Sequence, residues 1–172
     1  MDLQIWTDVP GIMTANPKAV PAARTIPEIS YKAAFDMAAY GAKVLYAPAV
    51  EPARRHGIPI NIRNTFDPAN PGTVISSRCS TVREWKGVSS IDDAAAGTTL
   101  ICLTGEGHSS HEATPHRIGT ALRDAGIKPL GDVTGEDGSN YFITVRTNVA
   151  RAAVAAIHRE FFEERALSVL DV

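Results

Sequence analysis

Chemistry is most concentrated in "LQIWTDVPGIMTANPK", residues 3–18. A short apolar strand (Leu3, Ile5, Trp6) runs into Thr7 and Asp8, turns at Gly11 and reaches Lys18. A hydroxyl, a carboxylate and an ammonium at the end of a strand suit a nucleotide, which α/β proteins hold at that place. The same residue types also suit a strand-to-turn cap with a solvated lysine. A second grouping, "TGEGHSSHEATP" (104–115) with the residue that follows it, carries His108, His111 and His116, three histidines at spacings that invite a metal. A zinc site needs a fourth ligand on a defined scaffold, and neither Cys79 nor Cys102 is placed to supply it. Loop histidines and no metal are expected. This loop leads into a helix N-terminus, whose free N–H groups and dipole favour a carboxylate. His158, Trp6 and Trp85 read as bland or packing residues.

The elements that position these groups fall into two blocks. Residues 1–76 read as strand, loop, helix, helix, strand. "PEISYKAAFDMAAYG" offers Ser30 as N-cap and Gly41 just past the helix end. "APAVEPARRHG" reads as a short helix closed by Gly57, "IPINIRNT" as a half-buried alternating strand, and "DPANPGT" as the closing turn. Residues 77–97 read as a linker with a strand near "WKGVSSI". Residues 98–172 then read as β-α-β-β-α. "TTLICL", "IKPLGDV" and "SNYFITV" are strands, Thr114-Pro115 starts one helix and Asn148 caps the last. Its apolar stripe is Val149, Ala152, Ala153, Ala156, Ile157 and Phe161. The fold class is therefore an α/β block followed by an α+β sandwich.

Composition sets outer bounds. With 172 residues and 44% hydrophobic content, the chain can bury one ordinary core or two small ones. A net charge of −2 gives no electrostatic reason for a nucleic-acid partner. Two cysteines match a reducing compartment. No apolar run approaches the roughly 18 residues a membrane span needs, and no basic-then-apolar leader is visible at the start. A cytoplasmic protein without membrane contact is expected.

From "IWTDVPG" through "GAKVLYAP" to "GTVIS", the first block resembles the C-terminal third of the aspartate kinase catalytic domain. "GVSSI" through "AIHREFF" resembles one of that family's ACT regulatory domains. The resemblance covers almost the whole chain. It implies a fragment of an amino-acid-kinase α/β sandwich followed by a ferredoxin-like ACT domain. The implied chemistry is phosphorylation of the aspartate side chain with ATP and magnesium. Thr7 and Asp8 would meet the base and ribose, Gly11 would shape the turn, and Lys18 and Lys43 would lie near the phosphates. In this family the corresponding pattern carries aspartate, tyrosine, aspartate and arginine where this chain has Pro10, Met13, Asn16 and Lys18. Tyr46 and Ala47 replace a histidine and a proline. Losing the tyrosine at Met13 and having Lys18 in place of arginine, without its bidentate fork, weaken nucleotide holding.

Two family segments, a Lys-Phe-Gly-Gly strand and a Gly-rich Ser-Asp loop, supply the phosphate cradle and the aspartate-binding groups. Neither occurs in these 172 residues. The resemblance therefore implies a component that is not self-sufficient, completed by a separate kinase-domain chain bearing the phosphate loop. In the ACT block it implies an amino-acid effector held by Gly107, His108, Ser109 and Asn140. This loop departs from the family pattern, so an ACT fold kept only for dimerisation stands beside that reading. The family's second, inserted ACT domain has no counterpart here. A homodimer through about residues 87–165 is expected, with "SNYFITV", "TTLICL" or "GVSSI" at the open edge. The alternative is a catalytically inactive ACT-type sensing or scaffold subunit docked onto a kinase-like partner.

Overall fold

Alternate residues of a strand share a face, so Ile60, Ile62 and Ile75, each fully buried, set the centre of a first sheet. The computed structural model describes residues 2–77, 84–106 and 113–163. Its first sheet contains β1 (Leu3–Thr7), β2 (Glu28–Ser30), β3 (Ile60–Asn64) and β4 (Thr73–Ser76), in the order β1-β3-β4-β2. β1 runs parallel to β3 and β2 parallel to β4, while β3 and β4 are antiparallel. Neither β2 nor β4 was legible in the sequence. β2 is three residues long, too short to show alternation, and β4 follows the turn that reads as the end of the block.

Helix α1 (Tyr31–Ala39) begins where expected: the Ser30 hydroxyl accepts the Ala33 N–H at 3.1 Å. "APAVEPARRHG" folds as a 3-10 turn, Ala47–Ala49, running into helix α2 (Val50–Arg55). Both helices pack on the first sheet through Tyr31, Ala33, Ala34, Met37, Val50 and Ala53.

The second sheet is wholly antiparallel. β5 (Trp85–Asp93), β6 (Thr98–Gly105), β7 (Gly131–Thr134) and β8 (Asn140–Arg146) lie in the order β5-β6-β8-β7. Helices α3 (Ala113–Asp124) and α4 (Thr147–His158) complete the unit. From β6 onward the chain is β-α-β-β-α. β5, which comes first, lies beside β6, in the place the last strand of a ferredoxin-like β-α-β-β-α-β unit would take. β5 and β6 form a direct hairpin, in register from Gly87↔Thr104 to Asp93↔Thr98, with a shift between Trp85 and Gly87.

Several local expectations shift. Asn148 does not cap α4: the cap position is Arg146, without a side-chain bond. Instead the Thr147 N–H, an orphan donor at a helix start, reaches the Gly97 carbonyl at 3.1 Å. Thr114 lies inside α3 rather than ahead of it. The α4 stripe is rotated: Ala150, Ala153, Val154, Ala156 and Ile157 are buried, while Ala152 is exposed.

The two blocks interlock. The Val88 N–H on β5 donates to the Thr14 carbonyl at 2.7 Å, and Ala15 and Val20 join the second core with Ile101, Leu103 and Ile143. Thus the outer edge of β5 is partly paired by the first block. "SNYFITV" and "TTLICL" prove to be the central strands β8 and β6. The sheet ends on one side at β5, so "GVSSI" does lie at an edge as expected, and on the other at β7, whose four residues are all exposed and which among the described residues pairs with β8 alone. Among the described residues no helix is long and apolar enough to cross a membrane.

Candidate functional site

β1 ends at Thr7, one residue before Asp8, and the strand end is tied down. The Thr7 carbonyl accepts the Thr65 N–H at 2.8 Å, continuing the β1–β3 ladder past Asn64. The Thr7 hydroxyl donates to Asp8 Oδ1 at 3.2 Å, and the Asp8 carboxylate is exposed. Gly11 then brings the chain against β4. It is buried with φ +135°, and a Cβ there would lie 2.5 Å from Thr73 Oγ1 and 2.9 Å from Thr25 Cγ2. Thr73, which sequence reasoning missed, is the clasp. Its hydroxyl accepts the Ile12 N–H at 2.9 Å and donates to the Ile26 carbonyl at 2.7 Å. Gly11 therefore shapes the loop and leaves no side chain to contact a ligand.

Lys18 sits in a turn organised by Asn16, whose Oδ1 accepts the Lys18 N–H at 3.0 Å. Lys43 lies beyond α1, between that helix and the 3-10 turn. Both lysines are exposed, and within the described residues neither side chain makes a hydrogen bond or ion pair. No bond joins either lysine to Thr7 or Asp8. The groups fit a nucleotide in type: hydroxyl and carboxylate for sugar or base, uncommitted ammonium groups for phosphate. For magnesium the fit is partial. Among the described residues no three carboxylate, imidazole or thiol groups gather to hold a metal. A cation here would depend on the nucleotide's own oxygens and on groups from elsewhere.

The effector candidates divide. Gly107, His108 and Ser109 lie outside the described residues, as do His111 and Cys79; His116 is exposed on α3. Asn140 opens β8 and is buried, with its amide already committed. Nδ2–H donates to Asp36 Oδ2 on α1 at 2.8 Å, and Oδ1 faces Cys102 Sγ at 3.8 Å. Around it, Lys32 of α1 reaches Asp36 at 2.6 Å, Asp137 at 2.8 Å and Ser139 Oγ at 2.7 Å. The Lys32 ammonium and then the Ser139 hydroxyl hold the Asp137 carboxyl well below the usual carboxylate range. Cys102 belongs to this same face of the sheet, opposite Ile101 and Leu103, and burial pushes its thiol up to about 12. Glu106, at the end of β6, closes the junction by accepting the Ser30 N–H at 2.6 Å. A carboxylate there also suits the positive end of the α1 dipole. Sequence reasoning passed over Lys32, Asp36 and Glu106; the i, i+4 pairing of the first two was the signal available.

Two aromatic and imidazole assignments change. Trp6, expected to pack, is 47% exposed on β1 with the Arg63 guanidinium 5.8 Å from its ring. His158, which looked bland, is fully buried between Thr14 Oγ1 at 2.8 Å and Glu163 Oε1 at 2.7 Å. Nearby, a cleft of about 510 Å³ is lined by residues that include Arg24, Ile26, Trp85, Lys86 and Phe162. None of Thr7, Asp8, Lys18 or Lys43 lines it.

Residues 2–64 match the family model described as the amino acid kinase family. Over 164 residues, 94% of the chain, the sequence is 32% identical to the bifunctional aspartokinase/homoserine dehydrogenase of Haemophilus influenzae. The chain belongs to the aspartokinase family. It spans 19% of that relative's length. The aspartokinase of Chlamydia pneumoniae is 47% identical over 72 residues, 42% of this chain and 16% of that protein. In three dimensions this aspartokinase-family chain is similar to E. coli aspartokinase III, solved in complex with aspartate and ADP. The TM-score is 0.83 over 94% of this chain and 52% of that chain, at 20% identity, a likeness of fold. The ACT-like unit is included in that likeness.

Proposed function

We propose that these residues form the ATP side of an aspartate kinase active site together with its ACT regulatory and dimerisation unit. The observation that carries this is the end of β1. There Thr7 and an exposed Asp8 leave a strand paired in parallel with β3, inside the stretch related to amino acid kinases. ATP bound with Mg²⁺ would supply the phosphoryl group. Asp8 and Thr7 would orient the nucleoside, and Lys18 and Lys43 would neutralise phosphate charge, the main protein contribution to such a transfer. The phosphate loop and the acceptor groups come from polypeptide outside these residues, in this reading a separate kinase-domain chain. β1 offers the place for it. Among the described residues β1 pairs only with β3, and Leu3 and Trp6 are 43% and 47% exposed along it.

Asp8→Ala and Lys43→Ala, each measured with the kinase counterpart present, should weaken ATP binding about tenfold or more. Hydrogen bonds to charged groups contribute about 1.5–3 kcal/mol, and both side chains are exposed, so the fold should persist. Calorimetry decides it. Unchanged affinity in both variants would favour the inactive sensing or scaffold subunit.

For assembly, we propose an isologous homodimer of the ACT-like unit through β7, with any amino-acid effector at the seam near residues 107–109 and Asn140. An unpaired edge is a liability that a two-fold pairing removes, and Leu130 and Val133 are 52% and 60% exposed there. The chain should sediment as a dimer at low micromolar concentration, and Val133→Asp as a monomer. A monomeric parent chain would rule the pairing out. The free, buried Cys102 accords with a reducing, cytoplasmic setting.

A further inference from the structure

Lys43 follows α1 by four residues, and α1 lies against the second sheet. Met37 presses on Gly87 of β5, where an added Cβ would meet Met37 Cε at 2.6 Å. The Tyr40 ring stands edge-on to Phe142 of β8 with centroids 4.9 Å apart. Asp36 holds the Asn140 amide, Lys32 holds Asp137, and Glu106 holds the Ser30 N–H. The tightest approach is at Gly41. A Cβ there would overlap the carbonyl oxygen of Ser90 and fall 2.8 Å from its carbonyl carbon and 3.1 Å from Ile91 Cγ1.

From these contacts we propose that the second sheet positions Lys43, and that Gly41 and Phe142 are positioning residues acting through it. The inference rests on reading Lys43 as a nucleotide contact. The chain stays bonded to α1 almost up to the lysine: Tyr40 N–H donates to the Asp36 carbonyl at 2.9 Å and Ala42 N–H to the Met37 carbonyl at 2.8 Å. Only one peptide separates that last bond from Lys43. On the other side of the contact, β5 cannot give way. Ser90 is in register with Ile101 of β6, which is itself held by Ile143 of β8. Any side chain at residue 41 therefore moves the 40–43 turn and not the sheet. Gly41 also has φ +108°, a conformation side chains resist. A lysine acts on phosphate as a point charge whose attraction falls with distance. The glycine of the "GAK" stretch thus fits the regulatory sheet, and the lysine two residues on is placed by that fit.

The test combines amide exchange with a double-mutant cycle on the chain assembled with its kinase counterpart. Gly41→Ala and Phe142→Ala should each raise hydrogen–deuterium exchange across residues 40–46. Gly41→Ala should weaken ATP binding roughly tenfold to hundredfold, the scale of a small misplacement. In a Lys43→Ala background it should weaken binding no further, because both changes act through one group. If Gly41→Ala fails to fold, Phe142→Ala carries the same comparison. Unchanged exchange in both variants overturns the proposal, as does a loss of ATP affinity that is equal with and without Lys43. Raised exchange beside a Lys43→Ala variant of unaltered ATP affinity upholds the placement by the sheet and counts against the nucleotide reading alone.

Discussion

Purified alone and supplied with ATP, Mg²⁺ and aspartate, the 172-residue chain should form no aspartyl phosphate above the uncatalysed background. Phosphoryl transfer is catalysed by positioning and by charge stabilisation around the transferred group. Removing a single preorganised donor of that kind costs about 10²–10³ in rate. On the proposed function the phosphate cradle and acceptor-binding groups would come from outside these residues, so a deficit on the order of 10⁴ or more is expected. The described residues offer Asp8, Lys18 and Lys43 but no cluster able to hold the cation by itself. A radiolabelled transfer assay, with and without added kinase-domain chain, reads the outcome. Turnover by the chain alone would overturn the completed-site reading. Restoration by the added chain would support it.

His158→Ala should lower stability by about 3 kcal/mol, since it leaves a cavity at a fully buried position and takes the ring partner from the buried Thr14 hydroxyl, while the partly exposed Glu163 turns to water. The Glu163 carboxylate accepts from Nδ1–H, and the Thr14 hydroxyl lies 2.8 Å from Nε2. Phe162 stacks on the same ring at 5.0 Å. Thr14 Oγ1 also accepts the Arg24 N–H at 3.0 Å, so the imidazole braces the loop that carries Lys18. For a chain of this size the loss corresponds to a melting temperature lower by roughly 6–12 °C. Thermal unfolding of His158→Ala beside Thr14→Val separates the cavity from the hydrogen bond. A shift below about 1 °C in both would show that the junction contributes little.

What the sequence determined by itself is what short range enforces. Ser30 caps α1 because its hydroxyl needs only the N–H three residues on. Ile60 and Ile62 mark β3 because alternate residues share a face. Thr7 and Asp8 stand at the end of β1 because the apolar run stops there, and the motif around them carries the kinship. Only the tertiary structure decided the rest. The Thr14–His158 and Asp36–Asn140 bonds join residues 144 and 104 positions apart, and no periodicity or cap signals a partner at such distance. The sheet edges went to β5 and β7 and not to β8 or β6 because pairing order depends on where the helices return each strand. Gly41 reads in sequence as a helix stop, and it is one. That it must also be glycine to lie on the Ser90 carbonyl follows from two sheets packing against each other, a close approach that local sequence does not record.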